Sequence, residues 1–180
     1  MGKVITKLII LDVDGVLTDG KKLYDKTGRG CYKTFCDRDF TAIKAFKAMG
    51  IPVVFLSGDP NVNEFVAYNR GIPFYCNRGP NGYQCKSSFL PMLGALYGVT
   101  TDEMVYVGDD IWDIEIMKKV GRSFCPADSS YIVKNAASQV LNKDSGQNVI
   151  EDLLNWHTSV LGMELPPIEE MEKLDQQELL

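Results

Sequence analysis

Two apolar segments of this sequence, residues 7–11 and 104–107, are each followed within two residues by aspartates. The acids are Asp12, Asp14, Asp109, Asp110 and Asp113. Carboxylates can bind hard cations, carry protons or act as nucleophiles. Residues two apart on extended backbone point the same way, so we expect Asp12 and Asp14 to repel each other unless a cation neutralises them. Oxygen donors without a Cys or His partner favour Mg²⁺ over zinc.

A hydroxyl, a glycine and a lysine add to this set. Ser57 and Gly58 follow the apolar run 52–56 and precede a helical segment, where a hydroxyl and backbone N–H groups can bind an anion. Lys86 lies near the start of a later helix. Acids of this kind often cap helices, but their combination with Ser57 and Lys86 makes capping an insufficient explanation.

The remaining pattern predicts the elements that position these residues. Continuous apolar runs predict buried strands at residues 7–11, 52–56, 72–75 and 104–107, with edge strands at 123–125 and 139–141. Helices are predicted at 40–49, 61–70, 87–97, 111–119, 130–135 and 149–161, with Ser87 or Ser88 capping the third. Residues 22–25 and 31–35 predict a hairpin, and 76–85 a loop. Alternating strands and helices indicate an α/β fold, a three-layer Rossmann-like parallel sheet with a hairpin flap.

The distribution of charged and apolar residues indicates the domain boundaries, the class of partner and the location. The net charge is −5, and residues 161–180 contain six acids and one base, which leaves a neutral body. We therefore expect a domain at 1–160, an acidic tail at 161–180 and no nucleic-acid polymer as partner. The tail could dock through an apolar stripe of Leu165, Ile168, Met171 and Leu174, or be disordered. No apolar run is long enough for a membrane span and no signal peptide is evident, so we expect a cytoplasmic location.

Cysteine and histidine usage excludes other site classes. Five cysteines without a Cys-x-x-Cys motif predict reduced thiols rather than a disulfide framework or a zinc ribbon. The single histidine, His157, argues against a histidine metal cluster and a Ser-His-Asp mechanism. We expect it at the surface or in packing.

The order of these features resembles the haloacid-dehalogenase-type phosphatase superfamily. That pattern is a first-strand Asp-x-Asp, a Ser ending the next core strand, a later Lys and a Gly-Asp-x-x-x-Asp segment. The stretch Asp12–Gly20, with Arg38-Asp39, Ala42-Ile43-Lys44 and Gly50-Ile51, is more specific. It is similar to the 3-deoxy-octulosonate-8-phosphate phosphatase group and its nonulosonate-phosphate relatives. The resemblance covers roughly residues 7–157.

The resemblance implies that Asp12 attacks phosphorus and becomes an aspartyl phosphate. Asp14 would protonate the leaving alkoxide and then activate water. Mg²⁺ would be held by Asp12, the backbone carbonyl of Asp14 and Asp109. The substrate would be a small phosphate monoester.

The remaining candidates have implied supporting roles. Ser57 and nearby N–H groups such as that of Gly58 would bind phosphate oxygens, and Lys86 would neutralise the charge shared by Asp12 and the phosphoryl group. Asp113 would orient Lys86 or a metal-bound water, and the resemblance assigns no definite role to Asp110. Members without a cap domain often form tetramers, in which the hairpin or tail of one subunit closes a neighbour's site.

Three departures from the family pattern bear on the substrate. Phe40 stands where the family usually has Gly, Asp59 stands where it usually has Arg, and residues 143–148 lack the usual arginine. Arg78, in the predicted loop, could supply a substitute anion contact or be an ordinary solvated residue.

Three other functions remain as alternatives. A receiver-type signalling domain also combines acids, a hydroxyl and a lysine, but carries its phosphorylated Asp on the third strand. The chain could also be a non-catalytic phosphate-binding protein. A phosphatase acting on a nucleotide or another phosphometabolite would keep the same chemistry.

Overall fold

Six parallel strands form the central sheet of the protein, described by a computed structural model over residues 5–28, 31–79 and 82–179. Residues 1–4, on which the signal-peptide expectation partly rests, lie outside the described residues, as do two residues in each of the segments 26–30 and 77–81. The described strands are β1 (Leu8–Leu11), β2 (Leu23–Tyr24), β3 (Cys31–Tyr32), β4 (Val53–Ser57), β5 (Phe74–Cys76), β6 (Arg78–Gly79), β7 (Gly82–Tyr83), β8 (Met104–Val107), β9 (Arg122–Cys125) and β10 (Gln139–Val140). The sheet order is β10-β9-β8-β1-β4-β5.

Helices cover both faces of this sheet. They are α1 (Asp37–Ala48), α2 (Asn61–Asn69), α3 (Leu90–Tyr97), α4 (Ile114–Met117), α5 (Tyr131–Ala136), α6 (Val149–Leu161) and α7 (Ile168–Asp175). Short 3-10 turns span Lys86–Phe89, Thr101–Glu103 and Ile111–Asp113. No helix among the described residues is long and apolar enough to span a bilayer.

Alternation along the buried strands creates two apolar cores. Ile9 and Leu11 of β1 face the core that also contains buried residues of α1 and α6. Leu8 and Ile10 face the opposite core, which contains buried residues of α3, α4 and α5. Successive side chains of a strand point to opposite faces, so a strand buried on both faces is apolar throughout. The predicted three-layer α/β fold is confirmed, with no separate cap domain among the described residues.

Some local predictions were wrong. The strand at 122–125 is not an edge, because β10 extends the sheet beyond it. The predicted loop 76–85 contains the antiparallel pair β6–β7. Neither Ser87 nor Ser88 caps a helix: the Ser87 hydroxyl donates to Glu115 and the Ser88 hydroxyl to the Cys85 carbonyl, because a 3-10 turn begins at Lys86 instead.

The acidic C-terminal segment folds back on α1 and α2. Lys44 forms ion pairs with Asp175 and Glu178, and Glu178 also accepts a 2.9 Å hydrogen bond from Arg70. In the apolar stripe that could dock, Leu165 and Ile168 are mostly exposed, whereas Met171 and Leu174 are partly buried. The ion pairs of Asp175 and Glu178 connect this segment to the body.

Candidate active site

The candidate residues meet at the carboxyl ends of β1, β4 and β8, where parallel sheets usually carry their sites. The chain leaves β1 at Asp12, β4 at Ser57 and β8 near Asp109, and all three residues line one cavity of about 470 Å³. The other sequence-predicted residues that line it are Asp14, Gly58, Arg78, Lys86 and Asp110. Pairing of β1 with both β4 and β8 brings these distant segments together.

A buried lysine joins two of the acids. Lys86 Nζ forms ion pairs with Asp12 and, at 2.7 Å, with Asp113, and Lys86 and Asp113 are both buried. The Tyr106 hydroxyl lies 3.2 Å from Nζ and donates a 2.6 Å hydrogen bond to Asp113 Oδ1. Burial alone would lower the pKa of Lys86, but Asp12 and Asp113 raise it well above its usual range. Lys86 is therefore a permanent cation beside the predicted nucleophile.

Asp113 also organises the segment that follows β8. Its Oδ2 accepts 3.0 Å hydrogen bonds from the backbone N–H groups of Asp109 and Asp110. Of the two roles considered for Asp113, the observed contact is with Lys86. Asp110 begins the 3-10 turn Ile111–Asp113, because its carboxylate accepts a 2.6 Å hydrogen bond from the Ile111 N–H.

Carboxylate oxygens of Asp12, Asp109 and Asp113 lie within 4.8 Å of one another. Burial raises the pKa of Asp12 to about 6 against the opposing effect of Lys86. Burial, reinforced by Asp12 and Asp113, raises the pKa of Asp109 to about 8. One lysine does not offset three clustered acids, and a divalent cation would.

The donor set and the space around Asp109 fit a hard cation such as Mg²⁺. A Cβ atom at position 15 would lie 2.0 Å from Asp109 Oδ2, so Gly15 is required for the Asp109 carboxylate to occupy its place. Gly15 also has φ +79°, a conformation that L-residues with side chains rarely adopt. The residues that would hold the cation through side chains are Asp12 and Asp109.

The Asp14 carboxylate does not join this cluster, contrary to the expectation that it would face Asp12 across a shared cation. The chain turns after β1, with the N–H groups of Leu17 and Thr18 donating to the Val13 carbonyl. Asp14 Oδ1 lies 2.7 Å from Lys33 Nζ, and its Oδ2 accepts a 3.1 Å hydrogen bond from Asn63. A lysine thus balances the charge of Asp14 directly.

A polar network connects Asp14 to the predicted phosphate-binding hydroxyl. Asn63 Nδ2 donates to both Asp14 Oδ2 and Ser57 Oγ, at 3.1 Å each. Lys33, whose side chain is fully buried, donates to Asn63 Oδ1 at 2.9 Å and to Asp59 Oδ2 at 3.0 Å. Lys33 and Asn63 were missed by sequence reasoning, because a lysine just after a two-residue strand and an asparagine in a first helical turn carry no spacing signal.

Asp59, which departs from the family pattern, holds two lysines of the hairpin. Its Oδ2 lies 2.6 Å from Lys22 Nζ and 3.0 Å from Lys33 Nζ. Burial would raise the pKa of Asp59, but hydrogen bonds from these lysines hold it well below its usual range. The β2–β3 hairpin is thereby tied to the end of β4.

Arg78 lies against the glycine that follows Ser57. A Cβ atom at Gly58 would lie 3.0 Å from Arg78 Nε. No ion pair of Arg78 occurs within the described parts of the chain, whereas Lys22 and Lys86 are both paired with carboxylates. Arg78 is thus a cation at the cavity without a carboxylate partner among those residues.

Comparisons with known proteins show which family the chain resembles. The family of haloacid dehalogenase-like hydrolases matches residues 73–153. The 3-deoxy-D-manno-octulosonate 8-phosphate phosphatase of Haemophilus influenzae is 36% identical over 150 residues, which are 82% of this chain and 79% of that protein.

Solved structures show the same fold. The cobalt-bound deoxy-D-mannose-octulosonate 8-phosphate phosphatase of Haemophilus influenzae has a TM-score of 0.78 at 33% identity, covering 87% of this chain and 90% of that one. The Moraxella catarrhalis 3-deoxy-D-manno-octulosonate 8-phosphate phosphatase, in complex with magnesium, phosphate and KDO, has a TM-score of 0.76 at 22% identity. It covers 97% of this chain and 91% of that one. The protein therefore belongs to the haloacid dehalogenase-like hydrolases and is a phosphoric monoester hydrolase.

Proposed function

We propose that this protein is an Mg²⁺-dependent phosphatase of a sugar-acid phosphate such as 3-deoxy-octulosonate 8-phosphate or a nonulosonate 9-phosphate. The observation that carries the proposal is the buried Lys86 between Asp12 and Asp113, with Asp109 and Ser57 on the same cavity. The relatives with this fold act on an octulosonate phosphate, and magnesium and cobalt occur in their structures.

The proposed reaction has two displacements at phosphorus. The Asp12 carboxylate forms a bond to phosphorus as the ester P–O bond breaks, and the leaving alkoxide takes a proton from Asp14. Water then attacks phosphorus and gives a proton to Asp14, while the bond between phosphorus and Asp12 breaks. Inorganic phosphate leaves, and the Asp12 carboxylate and the protonated Asp14 are restored.

Positioning and charge neutralisation supply most of the catalysis in such a transfer. Asp12, Asp109 and the backbone carbonyl of Asp14 would hold Mg²⁺, which when bound would supply positive charge to the phosphoryl oxygens. Lys86 would offset the charge that Asp12 and phosphate share, and Ser57 with the Gly58 N–H would hold phosphate oxygens.

Arg78 is proposed as the contact for the sugar acid's carboxylate. It lines the cavity beside Gly58 and has no ion pair within the described parts of the chain. An arginine can bind a carboxylate through two parallel hydrogen bonds. A panel of sugar phosphates, sugar-acid phosphates and nucleotides, compared by kcat/KM, tests the substrate class. A preference for nucleotides would exclude the sugar-acid assignment.

Asp12→Asn tests the nucleophile. We expect phosphate release to fall by about 10⁴-fold or more, as when a nucleophile is removed from comparable enzymes. Asp102→Asn is the matched control and should leave the rate unchanged, because Asp102 is exposed and precedes β8, at the end of that strand opposite to Asp109. An Asp12→Asn protein that keeps a tenth of the activity would refute the assignment. Loss of activity with chelator and recovery with Mg²⁺ test the metal.

A homotetramer is proposed from the family resemblance. The hairpin β2–β3 places Tyr24 and Cys31 at the cavity of its own subunit but leaves Leu23 and Tyr32 largely exposed, which suits contact with a second subunit. Sedimentation of the purified protein tests this. The five cysteines are all free thiols, which fits the proposed cytoplasmic location.

A further inference from the structure

Two aromatic rings meet at the wall of the cavity. Trp112 lies in the 3-10 turn Ile111–Asp113, directly after the acids that follow β8, and Tyr83 lies in β7. Their ring centroids are 5.5 Å apart with an interplanar angle of 61°, an edge-to-face arrangement. Both rings line the cavity that contains Asp12 and Lys86.

The two rings are about half exposed, Trp112 at 51% and Tyr83 at 48%. They flank a floor made of acids, a lysine and a serine, groups that need no aromatic neighbour to bind phosphate or a cation. Edge-to-face contact orients the pair and leaves ring surface free at the cavity. Aromatic surface beside a polar floor is typical of a pocket that holds the organic part of a ligand.

We propose that Tyr83 and Trp112 form a leaving-group subsite, on which the sugar ring of the phosphate ester lies with its apolar C–H face. The inference rests on the proposed function, since it concerns the same cavity. The phosphate would occupy the floor between Asp12 and Ser57, and the ring would extend toward the pair. Arg78 of β6, the strand paired with β7, lies beside this subsite and could contact an acidic substituent of the ring.

The size of the cavity agrees with this division. About 470 Å³ falls within the range of about 300–1,000 Å³ typical of small-molecule sites, and is more than a phosphate group alone requires. A cyclic ester would therefore contact both the floor and the aromatic pair. An ester without a ring would leave the pair uncovered, and its reaction would not depend on these two residues.

Trp112→Ala and Tyr83→Ala test the subsite with a ring-bearing and a ring-free ester. We expect kcat/KM for 3-deoxy-octulosonate 8-phosphate and glucose 6-phosphate to fall about 5- to 10-fold, the size typical of an aromatic contact. The value for glycerol 3-phosphate should change less than about twofold, and Trp112→Phe, which keeps a ring, should retain most of the wild-type preference. Ile111→Ala is the matched control, because Ile111 has 52% exposure on the same turn but does not line the cavity.

Equal losses for cyclic and ring-free esters, or no loss for either, would overturn the subsite. AMP is tested in the same way. If only AMP hydrolysis were lost, the aromatic pair would bind a nucleobase rather than a sugar ring, and the proposed subsite would also be overturned. Because the ratio of two esters is measured on one protein, a partly unfolded variant does not obscure the result.

Fluorescence separates this inference from the catalytic proposal. Trp112 is half exposed while Trp156 is 9% exposed, and the chain has two tryptophans. In an Asp12→Asn protein, the sugar phosphates should change the emission and inorganic phosphate should not, and Trp112→Phe should abolish the change. If the sugar phosphates changed the emission but the wild-type protein showed no phosphatase activity, the subsite would stand and the proposed reaction would be refuted. The subsite would be refuted if inorganic phosphate changed the emission as much as the sugar phosphates do, or if neither ligand changed it.

Discussion

Lys33→Met should impair hydrolysis in proportion to how much the leaving group needs a proton. The Lys33 side chain is fully buried, and its Nζ lies 2.7 Å from Asp14 Oδ1 and within 3.0 Å of Asp59 and Asn63 oxygens. Removing it frees one oxygen of the proposed general acid, while Asn63 still holds the other. Asp14 should then sample orientations that do not reach the leaving oxygen.

The magnitude follows from what general acid catalysis supplies. A positioned acid typically contributes about 10²- to 10⁴-fold. With one of the two contacts of Asp14 retained, we expect kcat/KM for an alkyl phosphate to fall about 10- to 100-fold, which is about 1.4 to 2.7 kcal/mol of barrier. We compare kcat/KM because it reports the first displacement, whereas the water attack that follows is the same for every ester. p-Nitrophenolate leaves without a proton, so kcat/KM for p-nitrophenyl phosphate should fall no more than about threefold.

The assay is phosphate release from both esters by the same protein preparation, at saturating Mg²⁺. The aryl-to-alkyl ratio cancels any fraction of unfolded protein, which is needed because losing a buried cation beside Asp14 and Asp59 also destabilises the fold. Lys33→Arg keeps the charge and should recover part of the alkyl rate, and Lys26→Met, on the same hairpin but exposed, should match wild type. A Lys33→Met protein that loses both activities equally would refute the positioning role and leave a purely structural one.

Three further outcomes are expected. Gly15→Ala should abolish Mg²⁺-dependent activity and weaken Mg²⁺ binding measured by calorimetry, because the alanine Cβ would lie 2.0 Å from the Asp109 carboxylate. Wild-type affinity for Mg²⁺ in this variant would contradict the role of Gly15 in making room for Asp109. Burial raises the folded-state pKa of Asp39 from 3.8 to about 6, although hydrogen bonds from backbone N–H groups at the start of α6 lower it. Between these two pH values the folded protein therefore binds more protons than the unfolded chain. The free energy of unfolding should then decrease as the pH rises through this range. Relative to Asp39→Asn, wild type should lose about 3 kcal/mol of unfolding free energy at most between about pH 4 and 7, measured by urea denaturation; parallel pH profiles would contradict this. Glu178→Gln should increase hydrogen exchange across α7, because Glu178 forms ion pairs with Lys44 of α1 and with Arg70, which follows α2. Glu172→Gln, at an exposed position, should not, and equal exchange in both variants would contradict an electrostatic contact.

Sequence reasoning was most successful where one periodicity decides the outcome. The run from Leu8 to Leu11 is apolar at every position, and that pattern is typical of a short strand buried on both faces. The strands ending at Asp12, Ser57 and Asp109 were therefore placed correctly. Because parallel strands end at one edge, the convergence of these residues could be inferred before any coordinates.

Local rules failed where tertiary contacts decide. The segment 76–85 is rich in turn residues, yet it contains β6 and β7, and Tyr83 of β7 packs against Trp112. β9 lies inside the sheet because β10 pairs with its outer side. A strand of two residues is too short for its sequence to indicate which strand it pairs with. The turn after β1 likewise directs Asp14 away from Asp12, although extended backbone would have kept them together.

The sequence by itself determined the fold class, the site edge and the acids, hydroxyl and lysine found there, because those follow from the period of apolar residues and from residue types at strand ends. Only the tertiary structure decided which groups neutralise one another: Lys86 with Asp12 and Asp113, and Lys33 with Asp14 and Asp59. These pairs join residues up to 74 positions apart. Electrostatic partners depend on distance in space and on burial, and neither quantity is encoded in local spacing.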